Sequence, residues 1–92
     1  MYFVYVLACK RKNSNKFVLY IGSTLNLDER IKQHKFKNVL YTKQFDTIVL
    51  IYYEACINKK DSLIREKQLK TGFGRCYLKR RLKNYFDCIK QM

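Results

Sequence analysis

The stretch Tyr20–His34, YIGSTLNLDERIKQH, joins the end of a strand to the start of a helix. The preceding residues, FVLYIGS at 17–23, are aromatic and β-branched, which is typical of a strand. Asn26 can cap the helix, and Glu29 three residues later completes a capping-box pattern. The stretch therefore predicts a strand, a short polar turn and a helix.

The predicted helix has two distinct faces. Leu27 and Ile31 share an apolar face. Arg30 and His34, the chain's single histidine, share another stripe at i, i+4. Such a pair is usually only a solvated polar face, so its role depends on what else folds against it.

Two further strands are predicted around this unit. YFVYVLAC at 2–9 pairs with 17–23 as a hairpin across a polar turn at 10–16. DTIVLIYYEAC at 46–56 is apolar at nearly every position, which predicts a central strand buried on both faces. Residues 39–45 fit either an ordered loop or a short extra strand.

Two helices are predicted after the third strand. The first runs from about 58 to 71, with start signals at Asn58 and Asp61 and Gly72 as its C-cap. The second begins near Arg75 and carries a buried stripe. The stripe is Leu78, Leu82, Tyr85, Phe86 and Ile89. The order β-β-α-β-α-α predicts one α+β domain over residues 1–92, built on a small sheet.

The charge indicates a polyanionic partner. The chain has 20 Lys and Arg against 7 Asp and Glu, a net charge of +13. Nucleic acid is the first partner to expect and an anionic membrane surface the second. A lysine-rich composition with no specific partner is the plain alternative.

The cysteines do not indicate a metal site or a disulfide framework. Cys9, Cys56, Cys76 and Cys88 form no C-x-x-C pair, and one histidine cannot complete a two-Cys, two-His zinc site. The first residues lack the basic start of a signal peptide, and no apolar run has the length of a membrane span. We expect a cytoplasmic protein with reduced thiols, no membrane association, and Cys9 and Cys56 as small buried residues at the ends of apolar runs.

Glu66 is the acidic residue that a structural role explains least easily. It lies three residues from both Leu63 and Leu69, which we expect to mark the buried side of their helix. Carboxylates are rarely buried unless they are paired or bind a metal. The simple explanation is a salt bridge to Arg65, Lys70 or Arg30.

In the predicted hairpin, Tyr5 and Tyr20 can point to the same face. With Arg30, His34 and Glu66 they form a set suited to cutting a phosphodiester. A carboxylate holds a divalent metal at the phosphate, and a guanidinium stabilises the transition-state charge. An imidazole can take a proton from water, and so can a phenol if its ordinary pKa of ~10 is lowered.

The motifs VYVL, YIGST with the following arginine and histidine, and LIREKQLK resemble the GIY-YIG nuclease superfamily. FVYVLAC, LYIGSTLNLDERIKQH and LIYYEACINKKDSLIREKQLKTGFGRCYLKRRLK resemble its small single-domain bacterial branch, related to the catalytic domain of the excision-repair incision nuclease. The resemblance implies a three-stranded antiparallel sheet flanked by helices and a metal-dependent DNA endonuclease with a possible role in DNA repair. It also implies one Mg²⁺ or Mn²⁺ ion.

The resemblance also implies a role for each residue. Tyr5 becomes a base or water positioner, and Tyr20 orients water or phosphate and can share the base role. Gly22 permits close approach of the backbone at the turn. Arg30 becomes the phosphate clamp, His34 an assisting hydrogen-bond partner or proton acceptor, and Glu66 the metal ligand.

Three features depart from the family pattern. The first motif keeps only its tyrosine, as VYV. The segment after His34, KFKNVLYTKQFD, lacks the usual glycine and proline. Asn84 is the one candidate for a late site asparagine, and it does not align securely.

Basic residues would bind the nucleic acid through its phosphates, without reading sequence. The candidates are Lys35, Lys37, Lys43, Lys70, Arg75, Lys79, Arg80 and Lys83. Alternatively they form a solvated helix face or an amphipathic membrane helix, but the aromatic stripe favours packing against the sheet.

The sequence thus predicts an endonuclease that nicks duplex, branched or damaged DNA with low sequence specificity. RNA is a further possible substrate, and a homodimer or a targeting protein a possible partner. The alternative is a catalytically inactive nucleic-acid-binding module with the same fold.

Overall fold

The computed structural model of the chain describes residues 1–90. Three antiparallel strands form one sheet in the order β2-β1-β3. They are β1 (Tyr2–Lys10), β2 (Val18–Thr24) and β3 (Thr47–Cys56). With helices on both faces, this is the predicted α+β fold.

The first strand, not the third, is the central one. β1 pairs with both neighbours, and its residues from Val4 to Cys9 are buried. The prediction that β3 is central and buried on both faces was wrong. β3 lies at a sheet edge, where Val49 and Tyr53 are exposed. Its long apolar run also reflects a register shift opposite Val6 and Leu7, which places Ile51 beside Tyr52 on one face.

Helices cover both faces of the sheet. They are α1 (Leu27–Lys35), α2 (Lys59–Leu69), α3 (Gly72–Arg81) and α4 (Lys83–Lys90). On one face Tyr5, Leu7 and Cys9 pack with Leu27 and Ile31 of α1. On the other face, α2 and α3 close a second cluster. Its buried members are Val4, Val6, Ile21, Leu69 and Leu78.

The helices after β3 differ from the prediction in three ways. Gly72 does not cap α2; Lys70 is its C-cap, and Gly72 begins α3 behind the N-cap Thr71. The predicted last helix is two helices, which meet at Leu82. Leu63, expected on the buried side, is 41% exposed, because α2 buries Ser62 and Leu69 instead.

The segment after α1 turns back toward the sheet. Asn38 N–H donates to Gln33 C=O and Lys37 N–H to His34 C=O, which is a Schellman motif. Lys37 takes its left-handed position with a φ of 64°. The chain then forms a 3-10 turn at Thr42–Gln44, so residues 39–45 are an ordered loop rather than a strand.

Candidate active site

Tyr5 is the centre of a buried polar network between β1 and α1. Its side chain is 0% exposed, and its Oη lies 2.8 Å from His34 Nε2. Arg30 Nε donates to the same Oη at 3.3 Å. Because Arg30 and His34 are one helical turn apart, α1 presents both to one phenol.

Gly22 makes room for this phenol. It pairs directly with Tyr5 across the sheet, so the two positions share a face. A Cβ at Gly22 would lie 2.5 Å from Tyr5 Oη. Any side chain here would displace the hydroxyl, which gives a physical reason for glycine in YIG.

Tyr20 is the more accessible of the two phenols. Its ring meets His34 edge-on with the centroids 5.0 Å apart, and lies 6.2 Å from the ring of Tyr5. Tyr41 stacks on it at 5.6 Å. Tyr20 is half-buried, whereas Tyr5 is 0% exposed.

Burial sets the protonation states of this network. Desolvation raises the pKa of Tyr5 to about 12, although the hydrogen bond from Arg30 opposes it. Desolvation, followed by the charge of Arg30, lowers the pKa of His34 to about 4. The hydrogen bond to Tyr5 raises the pKa of Arg30. At pH 7 the network therefore holds a neutral phenol, a neutral imidazole and one guanidinium cation.

Thr42 is a member of this network that sequence reasoning missed. Its side chain is fully buried, and its Oγ1 lies 2.7 Å from His34 Nδ1. The contact forms because the 3-10 turn folds back over the end of α1. No local pattern in residues 39–45 indicates that path.

Glu66 approaches from the other face of the sheet. Ser23 Oγ donates to Glu66 Oε1 at 2.9 Å. Adjacent strand residues point to opposite faces of a sheet. In β2, Gly22 therefore lies on the face of Tyr5, and the next residue, Ser23, lies on the face of the Glu66 carboxylate. Of the three partners expected for a salt bridge, Lys70 is the one observed, with its Nζ 2.8 Å from Glu66 Oε2.

The structure thus joins Tyr5, Tyr20, Arg30 and His34 by direct contacts. Glu66 is connected to them only through β2 and Ser23. Ser23 was also missed, although its place after Gly22 in a strand already assigns it to the opposite face. Asn84 is exposed on α4, and no hydrogen bond joins it to these residues in the described structure.

Comparison with known proteins identifies the family of this chain. The family model described as the GIY-YIG catalytic domain matches residues 1–81. The chain belongs to the GIY-YIG nuclease family. Relatives of this GIY-YIG domain include a UPF0213 protein of Staphylococcus haemolyticus, 35% identical over 71 residues that make up 76% of this chain and 80% of the relative.

A UPF0213 protein of Clostridium perfringens is 37% identical over 71 residues, covering 76% of this chain and 71% of the relative. A UPF0213 protein of Pediococcus pentosaceus is 36% identical over 70 residues, covering 75% and 68%. No solved structure matches the chain. The resemblance to the small bacterial branch is confirmed.

GIY-YIG nucleases generally depend on a divalent metal. The residues present fit a site with a single carboxylate ligand. Within residues 1–90, no group of three or more His, Cys, Asp or Glu side chains is placed to hold an ion. Glu66 alone supplies a hard oxygen ligand, steadied by Ser23. One carboxylate suits Mg²⁺ or Mn²⁺, which keeps its waters and shares phosphate oxygens, but not an all-protein zinc cage.

The eight candidate DNA-binding residues are exposed, but three have other partners. Lys70 pairs with Glu66, and Lys83 with Asp87 at 2.6 Å. The Lys37 amine donates to the Phe45 carbonyl and helps to close the loop after α1. The other five form no ion pair with a described residue. They are Lys35, Lys43, Arg75, Lys79 and Arg80. No helix within residues 1–90 is long and apolar enough to cross a bilayer.

Proposed function

We propose that this GIY-YIG domain is an endonuclease that nicks DNA, with one Mg²⁺ or Mn²⁺ ion held by Glu66. The observation that carries the proposal is the convergence of Arg30 and His34 on the buried Tyr5 hydroxyl. Burying the Tyr5 hydroxyl and the His34 imidazole costs free energy that apolar packing would avoid. Perturbed groups gathered in this way are typical of active sites.

The residues have complementary roles in the proposed reaction. Arg30 donates from Nε to Tyr5 and from one terminal nitrogen to Gln33, and it also interacts with Tyr20. A guanidinium has five N–H donors, so others are available to a phosphate. Those donors stabilise charge as water attacks phosphorus and the bond to the leaving sugar oxygen breaks. The water proton passes to the oxygen of Tyr20, the accessible phenol, as the Tyr20 hydroxyl proton passes to solvent, and the leaving sugar oxygen takes a proton from water.

Glu66 supplies the remaining element of the proposal. A divalent ion bound there would act as a Lewis acid on the phosphate. The carboxylate is already oriented by Ser23, and a bound cation would replace the Lys70 amine on the other oxygen. The chain therefore needs to rearrange one exposed lysine rather than the sheet.

The proposed contacts with substrate are all to phosphate. Such contacts position a nucleic acid but carry no sequence information. We therefore expect low sequence specificity on duplex, branched or damaged DNA, with RNA as a competing substrate to test. One site per chain predicts nicks; double-strand breaks would require a second copy or a second event.

A supercoiled-plasmid nicking assay with Mg²⁺, with Mn²⁺ and with EDTA tests this function. We expect metal-dependent nicking by the wild type and a loss of roughly 100-fold or more in Glu66→Gln. Asp61→Asn is the matched control, because Asp61 is an exposed acid on the same helix. It should retain wild-type nicking.

Two results would contradict the proposal. One is DNA binding without cutting in either metal. The other is equal nicking by wild type and Glu66→Gln, both shown to be folded by circular dichroism. Either would make Glu66 a structural partner of Lys70. Binding without cutting would identify the domain as a nucleic-acid-binding module.

A further inference from the structure

Thr42 contacts the proposed site but lies outside the sequence motifs that indicate this site. It begins the 3-10 turn that follows α1, and it is 0% exposed. Its hydroxyl is 2.7 Å from His34 Nδ1, while the other ring nitrogen, Nε2, is 2.8 Å from Tyr5 Oη. The imidazole is thus held at both nitrogens by hydroxyl groups that can donate or accept.

Counting hydrogens distinguishes the two neutral tautomers of His34. If Nδ1 carries the hydrogen, it donates to Thr42, and the Thr42 hydroxyl hydrogen then has no other acceptor among the described residues. That would leave a buried donor unsatisfied, which destabilises this tautomer.

The other tautomer leaves no buried donor without a neighbour. Thr42 O–H donates to Nδ1, and Nε2–H donates to Tyr5 Oη, which also accepts from Arg30 Nε. The Tyr5 hydroxyl hydrogen is then free to turn toward the half-buried Tyr20, whose ring centroid lies 6.2 Å from that of Tyr5.

We propose that Thr42 is a positioning residue that donates to His34 Nδ1 and holds the imidazole as its Nε2–H tautomer. Two donors, His34 Nε2–H and Arg30 Nε–H, then converge on the Tyr5 oxygen. As Tyr20 gives its hydroxyl proton to solvent, the Tyr5 hydroxyl donates to the Tyr20 oxygen, and both donors stabilise the negative charge that develops on the Tyr5 oxygen. In this arrangement His34 supports the tyrosines and is not the base in the resting state.

The proposal rests on the proposed function for its catalytic meaning, but its main test needs no activity. His34 is the single histidine, so nitrogen-15 NMR of the imidazole gives one unambiguous pair of ring signals. At pH 7 we expect a protonated Nε2 and an unprotonated Nδ1 in the wild type. Thr42→Ser keeps the hydroxyl and should keep this pattern.

Thr42→Val keeps the shape and removes the donor. We expect its ring signals to move toward an average of the two tautomers. Plasmid nicking should fall roughly tenfold with unchanged affinity for DNA, and Thr42→Ser should restore it. A general loss of packing would not separate rate from affinity in this way.

Two results would overturn the proposal. One is a wild-type spectrum of the Nδ1–H tautomer; the other is a Thr42→Val spectrum identical to that of the wild type. If Thr42→Val fails to fold, the wild-type and Thr42→Ser spectra still decide. A domain that shows the expected tautomer but cuts no DNA would refute the proposed function and leave the Thr42 assignment standing.

Discussion

At Tyr5, burial and hydrogen bonding act in opposite directions on one hydroxyl. Desolvation raises its pKa to about 12, while Arg30 favours the ionised form. The sheet makes this possible because Gly22, directly opposite, leaves space for the oxygen. Reactivity at this site therefore depends on donors placed within hydrogen-bonding distance, not on exposure to water.

The buried imidazole of His34 predicts a loss of stability in mild acid. Its pKa is lowered from 6.5 to about 4. Between these two pH values the imidazole is protonated in the unfolded chain and neutral in the folded protein. The stabilising contribution is complete above pH ~6.5 and is lost as the pH falls toward 4. We expect a loss of about 3 kcal/mol over that range, measured by urea denaturation at several pH values.

His34→Gln is the control for this effect, because it removes the titrating ring and leaves the carboxylates unchanged. The difference in unfolding free energy between wild type and variant should shrink as the pH falls from 6.5 to 4. A difference that stays constant over this range would show that folding does not lower the pKa of His34.

At the scale of the elements, the sequence predicted features that depend on neighbouring residues, such as a helix cap. Asn26 caps α1 as expected, with Glu29 N–H donating to its Oδ1 at 3.1 Å. The position of β3 was wrong, because an apolar run does not reveal which strand has neighbours on both sides. Gly72 was assigned to the end of α2, although Thr71 has its own capping hydrogen bond to Gly74 N–H.

In the candidate site, too, the sequence did not predict contacts between segments that are distant along the chain. The family resemblance drew attention to Tyr5, Arg30 and His34, which the structure brings into contact. Thr42 could not be found this way, because its contact depends on the loop that begins with the left-handed Lys37. An irregular segment has no sequence periodicity, so its tertiary contacts cannot be predicted from a pattern of apolar residues.

The corner between α2 and α3 requires glycine at one position and not at its neighbour. A Cβ at Gly74 would lie 2.2 Å from Gln68 O and 2.4 Å from Leu69 Cα, both backbone atoms. Gly74→Ala must push the helices apart, and we expect it to lower the free energy of unfolding by about 3 kcal/mol. Chemical denaturation measures this directly.

Gly72→Ala is the matched control for Gly74→Ala. A Cβ at Gly72 meets nothing within 4 Å, and its φ is not positive. Because alanine restricts the unfolded chain, this variant should be unchanged or more stable by up to ~1 kcal/mol. Equal destabilisation by the two variants would mean that the close approach of α2 to Gly74 does not decide the stability of this corner.

At the scale of the whole molecule, basic side chains outnumber the carboxylates that could pair with them. Glu54 pairs with Arg65, and Glu66 with Lys70. Arg75 and Lys79 lie one turn apart on α3 and form no ion pair with a described residue. With 20 Lys and Arg against 7 Asp and Glu, most basic side chains have no acidic partner and are available to phosphate.

This distribution predicts how DNA affinity responds to salt. Each phosphate contact contributes a slope of about −0.9 to log K against log salt concentration, because it releases condensed cations. Replacing Arg75 and Lys79 by Gln should reduce the magnitude of the slope by about 2, as measured by fluorescence anisotropy on a labelled duplex. Lys83→Gln should change it less, because Asp87 already neutralises Lys83. An unchanged slope in the double variant would place the DNA on another face, and α3 would then serve only to pack Leu78 against the sheet.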